Sequence, residues 1–204
     1  MKTILLLLLI AFALSLCNLS GRMKKEDSGS GPAAPSNRAT EPARPTAEQA
    51  AAVAGGREVK WERQGMSWTI PSDWAEQTNE PHMFMMRSPG AGGASLIVSI
   101  SPMDEGFPLE SAIKGQFQQA ESRAKNGEVD EVKWVEIDGV RGVQFRETNP
   151  ERGDGSRRLQ WMAYRKYLGQ VQLINLMLAS QGKDFDRHRD AMYGILYSTK
   201  VAHR

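Results

Sequence analysis

The run His82-Met83-Phe84-Met85-Met86 sets an imidazole beside three thioethers, a ligand set that suits copper(I). On a strand, however, Met83 and Met85 face one side and Met86 the other, so the group cannot converge on one ion. Methionine also fills irregular cores, which is the simpler reading. The glycines at 90, 92 and 93 cluster as they would in a phosphate loop. The Lys-Ser/Thr pair that completes such a loop is missing and an apolar strand follows instead of a helix, so a hairpin turn is expected. His82, His188 and His203 are far apart in the chain, and His188 sits between Arg187 and Arg189 on the solvated face of a helix. No nucleophile elbow raises the case for a Ser-His-Asp hydrolase. Asp184-x-Asp186 and Asp154-Gly155 lack the ligand spacing of a calcium loop and read as helix N-terminal charge and turn chemistry. The expectation is a protein with no catalytic centre, no metal and no cofactor.

Cys17 is the one residue with a strong chemical reading. It is the single cysteine, so no intramolecular disulfide and no cysteine-based zinc cluster can form. Met1-Lys2-Thr3 precedes an apolar run over residues 4–14, too short for a permanent span but suited to a secretory signal. Leu14-Ser15-Leu16-Cys17 resembles a lipobox, in which the cysteine is diacylated and becomes the new N-terminus. Leu16 departs from the small residue usual before that cysteine. Two alternatives stay open: cleavage after Ala13, within Ala11-Phe12-Ala13, and an uncleaved anchor followed by Arg22, Lys24 and Lys25. A lipidated cysteine would attach the chain to a membrane outside the cytoplasm, in a bacterial cell envelope.

Charge supplies the second candidate. The chain has 26 basic and 24 acidic residues, a balance that makes no electrostatic case for nucleic acid. Locally the balance breaks. Residues 141–166 hold seven basic side chains against three acidic, whereas residues 104–138 hold nine acidic against four basic. Arg141, Arg146, Arg157, Arg158, Arg165 and Lys166 are therefore a candidate patch for an acidic protein partner or anionic lipid headgroups. The competing reading is two solvated faces.

The elements that would position these residues follow from pattern. Residues 1–16 read as the signal peptide and 17–56 as a flexible Pro/Gly/Ser/Ala-rich linker, too poor in large apolar residues to offset its ordering entropy. Within it, Thr46-Ala47-Glu48-Gln49 has capping-box spacing ahead of an Ala-rich stretch, which predicts a helical turn or two. The domain spans 57–204. Strands are expected at 59–62, 66–70, 83–87 and 94–100, and Pro108 opens an amphipathic helix carrying Ile113, Phe117 and Ala120 on one face. Asp138-Gly139 joins two further strands as a tight hairpin, and Leu168-Gly169 joins another pair. A closing helix runs over 184–197. Sequential hairpins with two good helices predict an α+β fold: an antiparallel sheet of six to eight strands flanked by helices.

On the order Gly65-Met66-Ser67-Trp68-Thr69-Ile70-Pro71-Ser72-Asp73-Trp74, the strand at 96–101, the helix at 109–123, Ile137-Asp138-Gly139-Val140-Arg141-Gly142 and the closing helix with Tyr197-Ser198, the domain resembles the PsbP-like superfamily, which includes the DcrB-type lipoproteins. The resemblance implies an α/β/α sandwich and a role in binding or assembly, and carries over no site residue. The function expected is a membrane-tethered lipoprotein with a non-enzymatic binding domain. The alternatives are an exported small-molecule hydrolase or a structural subunit of a membrane assembly.

Overall fold

The computed structural model describes residues 39–203. The apolar run, Cys17 and the first part of the expected linker lie outside the described residues. Eight strands form the main sheet: β1 (Glu41–Pro42), β4 (Ala75–Glu80), β5 (Met83–Arg87), β6 (Ser95–Met103), β7 (Val129–Ile137), β8 (Val140–Glu147), β9 (Ser156–Tyr167) and β10 (Gln170–Gln181). Their order is β1-β7-β8-β9-β10-β6-β5-β4. All neighbours run antiparallel except β1 on β7, which makes the sheet mixed. A small second sheet joins β2 (Arg57–Trp61), β3 (Met66–Ile70) and β11 (Lys200–Val201). The architecture is α+β with helices flanking the sheet, as the hairpin pattern predicts.

The hairpins form where the sequence asks for them. Asp138 and Gly139 sit at φ 49° and 81°, and Leu168 and Gly169 repeat the same pair of values. Two successive positive φ angles match the right-handed twist of the flanking strands, and glycine takes the second at no steric cost. β4 was not legible. Its sequence, Ala-Glu-Gln-Thr-Asn-Glu, has almost no strand propensity and is ordered only by pairing with β5 at the sheet edge.

Two cores lie on opposite faces of the main sheet. On the inner face, α3 (Gly182–Tyr197) and the small sheet bury Phe185, Met192, Ile195, Trp61, Trp68 and Ile70 against Leu96, Val98, Trp161 and Leu176. Trp68 stacks on Phe84 with centroids 5.1 Å apart. On the outer face, α2 (Leu109–Lys125) packs over β7, β8 and β9. It lays Ile113, Phe117 and Ala120 on Trp134, Val143 and Phe145, with Phe117 and Trp134 stacked at 4.5 Å. Large apolar side chains such as Ile113 and Phe117 each contribute roughly 1.5–3 kcal/mol by leaving water.

The linker expectation needs correcting at its C-terminal end. Residues 41–53 lie on the domain. β1 adds to the free edge of β7, continued by Ala43 N donating to Glu136 O at 2.9 Å. α1 (Ala47–Val53) has the capping box, Thr46 and Gln49 each accepting the other's backbone N–H, and packs on α3. A Cβ on Gly194 of α3 would come within 2.4 Å of Gln49 O and 2.8 Å of Val53, so only glycine admits α1 this closely. The segment is ordered by one exposed edge and one helix notch. Neither is visible in its own composition.

Candidate functional site

The structure does not bring the six basic candidates together, because strand alternation sends them to opposite faces. Arg157 and Arg165 of β9 point inward and are 6% and 3% exposed. Arg157 donates to Glu147 O at 2.7 Å and Asp130 Oδ2 at 2.8 Å, and its guanidinium lies 4.3 Å over the Phe185 ring. Arg165 donates to Gln172, to Ala202 O and to Gln64, tying β9 and β10 to the turn before β3 and to the C-terminal segment. Burial pushes its guanidinium down to about 10. Both arginines are internal staples. Arg141, Arg158 and Lys166 point outward; Arg141 stacks 3.9 Å over Trp134 and Arg158 pairs with Glu147 at 3.5 Å.

The sixth, Arg146, opens onto a groove that the sequence reading missed. The groove encloses about 460 Å³ between α1, α3 and the β7–β8 pair, with Arg44, Glu131, Lys133, Arg146, Tyr193 and Tyr197 among its walls. Glu131, Lys133, Gln144 and Arg146 share the inward face because β7 pairs with β8 in the register Lys133↔Gln144 and Glu131↔Arg146. Tyr193 and Tyr197 come from one side of α3, spaced one turn apart with rings 5.7 Å apart.

Glu131 is the hub. The Tyr193 hydroxyl donates to its Oε2 at 2.7 Å, Gln144 Nε2 donates to Oε1, and Lys133 and Arg146 stand at 3.4 Å on either side. The Tyr197 hydroxyl donates to Gln144 Oε1 at 3.1 Å, closing the network. Burial, reinforced by the Glu131 carboxylate, raises the Tyr193 hydroxyl far above its ordinary value. It stays protonated and serves as a donor, never as a base. Burial alone would lower the Lys133 ammonium, but Tyr197, Glu131 and Glu41 outweigh it and hold the group raised. Arg146 behaves likewise, with Asp130 its strongest favourable partner. The groove therefore carries positive charge on Lys133 and Arg146 and a protonated Tyr193 hydroxyl at every pH a cell meets. Such an arrangement can hold a polar ligand.

The remaining candidates disperse. Met86 is buried while Met83 is exposed on the opposite side of β5. The glycine loop is a hairpin closed by Ser88, whose Oγ accepts from Ala94 N at 2.7 Å. His188 meets Gly92 O at 3.2 Å and His203 meets Val201 O at 2.8 Å, so the histidines sit at separate places. Asp184 pairs with Arg187, and Asp186 reaches Arg157. Among the described residues, no group of three His, Cys, Asp or Glu side chains could hold a metal ion.

No protein-family model matches the chain, and no curated protein does. Solved structures do. A Bacteroides thetaiotaomicron protein aligns over 68% of this chain and 46% of its own, at 15% identity and a TM-score of 0.42. This chain thus spans about half of that relative. LpqN of Mycobacterium tuberculosis, a protein involved in cell envelope biogenesis, aligns over 72% of this chain and 85% of its own, at 13% identity and a TM-score of 0.51. The Saccharomyces cerevisiae Ran-binding protein Mog1p covers 72% and 96%, at 11% identity and a TM-score of 0.39. The chain shares the fold of LpqN.

Proposed function

We propose that this chain is an exported, membrane-tethered binding protein of the bacterial cell envelope with a PsbP-like domain, and that its ligand site is the groove between α1, α3 and the β7–β8 pair. The observation that carries the reading is the Glu131 network, which fixes two tyrosine hydroxyls and two cations in place. Four cationic residues line the groove (Arg44, Lys133, Arg146, Arg189) against three acidic ones (Glu48, Glu131, Asp190), with Lys133 paired to Glu131, Arg146 to Asp130 and Glu131, and Arg189 to Asp190. A small polar ligand carrying a carboxylate or phosphate is the chemistry that fits. Cys17 is the attachment point. The segment after it is the tether, and the outward set Arg141, Arg158 and Lys166 would face anionic headgroups or an acidic partner at that membrane. The cell-envelope role of LpqN agrees with this placement. No helix among the described residues is long and apolar enough to cross a membrane.

Intact mass and membrane partitioning, measured beside Cys17→Ser, test the tether. A diacylglyceryl-sized increment on a chain beginning at Cys17, abolished by the substitution, is the expected result. An unmodified chain beginning at Leu14 would overturn it. The groove is tested separately by Lys133→Ala with Arg146→Gln, which should abolish stabilisation of the protein by small organic acids and phosphates in thermal unfolding.

A further inference from the structure

The β8–β9 register ends at Gly142↔Ala163, although both strands run on. β8 keeps its pairing with β7 through Glu136↔Arg141 and Ile137↔Val140, while β9 keeps its pairing with β10 as far as Tyr167↔Gln170. The sheet therefore forks. Carried further, the register would set Arg141 opposite Tyr164 and Val140 opposite Arg165. Those residues instead line a cavity of about 250 Å³, to which α2 adds Leu109 and Ile113 from one helix face. The cavity shares no lining residue with the groove between α1, α3 and the β7–β8 pair.

Its walls divide by chemistry. Leu109, Ile113, Val140 and the Tyr164 ring are apolar. Arg165, 3% exposed, forms the closed end, and Arg141 and Glu110, both exposed, stand at the mouth. The Arg165 guanidinium donates to Gln172, Ala202 O and Gln64. It has five N–H groups, so two remain, and none of the three acceptors carries a charge. Among the described residues neither Arg141 nor Arg165 has a carboxylate within ion-pair distance. Arg146, Arg157 and Arg158, on the same two strands, each have one. A cation buried without an anion is costly, and the fork leaves room for one beside it.

We propose that the fork is a second ligand site, for a small monocarboxylate with an apolar body. The carboxylate takes the free N–H groups of Arg165, and the body lies among Leu109, Ile113 and Tyr164. The cavity has the volume of about eight water molecules, which suits a ligand of about eight non-hydrogen atoms. Glu110 at the mouth repels a second negative charge, so the ligand carries one. This chemistry differs from that of the groove, where charged groups and hydroxyls form most of the walls.

The test titrates hexanoate, a monocarboxylate of that size, into the full chain with methyl-labelled Leu, Ile and Val. The methyl signals of Leu109, Ile113 and Val140 should shift, and those of Leu96 and Leu176, buried in the inner core, should stay in place. 1-Hexanol has the same body without the charge and should bind at least about tenfold more weakly, since it forms no charge-assisted pair. Acetate, which lacks the body, should be weaker than hexanoate as well. Leu109→Trp fills the cavity from its half-buried wall and should abolish the shifts, and Arg165→Gln should weaken binding at least about tenfold. Unmoved Leu96 and Leu176 signals would show that each variant folds, and the hexanol comparison needs neither variant. Lys133→Ala with Arg146→Gln, which alters only the groove, should leave hexanoate binding unchanged. Equal binding of hexanol and hexanoate would overturn the proposal. So would hexanoate shifts that vanish in the groove variant, or Leu109, Ile113 and Val140 signals that never move at millimolar hexanoate.

Discussion

The two halves of the outer sheet face, β7–β9 under α2 and β10, β6 and β5 beyond it, share alternation and register, yet differ in what they present. Under α2 the outward positions are Trp134, Val143 and Phe145, buried to 4%, 0% and 6% exposure. On the other half, bare among the described residues, they are methionines, serines, an asparagine and Ile97 in the same rows. Aromatic and β-branched side chains hold one shape and reward a fixed neighbour, whereas thioethers tolerate water and adapt. A face that meets its own helix has been built rigid. The face left open has been built pliable.

The largest test of that contrast is Phe117→Ala. Emptying the slot over Trp134 should cost about 3–5 kcal/mol in denaturant unfolding. A loss under 1 kcal/mol would mean α2 is not the lid described. The next comparison follows a single strand through both faces. Arg157→Ala should cost about 2–3 kcal/mol, because it leaves Asp130 and the Glu147 carbonyl short of a charged donor. Its neighbour Arg158→Ala should change stability by less than about 0.5 kcal/mol, since its pair with Glu147 is half exposed. Equal effects would erase the distinction between the faces.

A smaller effect concerns pH. The folded state holds the Tyr193 proton well above its ordinary value, while the unfolded chain releases it near pH 10. The folded state then binds more protons than the unfolded one, so stability falls as pH rises past about 10, by up to about 1.4 kcal/mol per unit. Tyr193→Phe should flatten that slope, and an unchanged slope would remove Tyr193 from the network. A small effect is also expected for Met177→Ala on the other half, about 1 kcal/mol or less. A cost near that of Phe117→Ala would show that this half of the face is already covered.

Legibility tracked how local each cause was. The Asp138-Gly139 and Leu168-Gly169 turns, the capping box at Thr46 and the apolar stripe of α2 each depend on residues within one turn or hairpin, and each could be read directly. β4 could not, because a polar strand is ordered by its neighbour. The order in residues 41–53 depends on Gly194, about 140 positions away. The basic patch failed for a different reason. The sequence counts charges along the chain, and β9 deals them alternately inward and outward, so six neighbours became two buried staples, a groove wall and three outward cations. The Glu131 network was invisible for the same reason. It draws on β7, β8 and α3, and only Arg146 among its members stood out in composition.

What the sequence by itself determined is the set of local decisions: the turns, the strand pattern, the helix faces, the α+β class and a single cysteine behind an apolar run. These are written in short-range sterics and periodicity, which a linear reading contains. Only the tertiary structure decided which side of the sheet each charge occupies, how Gly194 admits α1, where Glu131 meets Tyr193, and which half of the outer face α2 covers. Each of those rests on register and packing between distant segments, and burial is a property of the assembled neighbours.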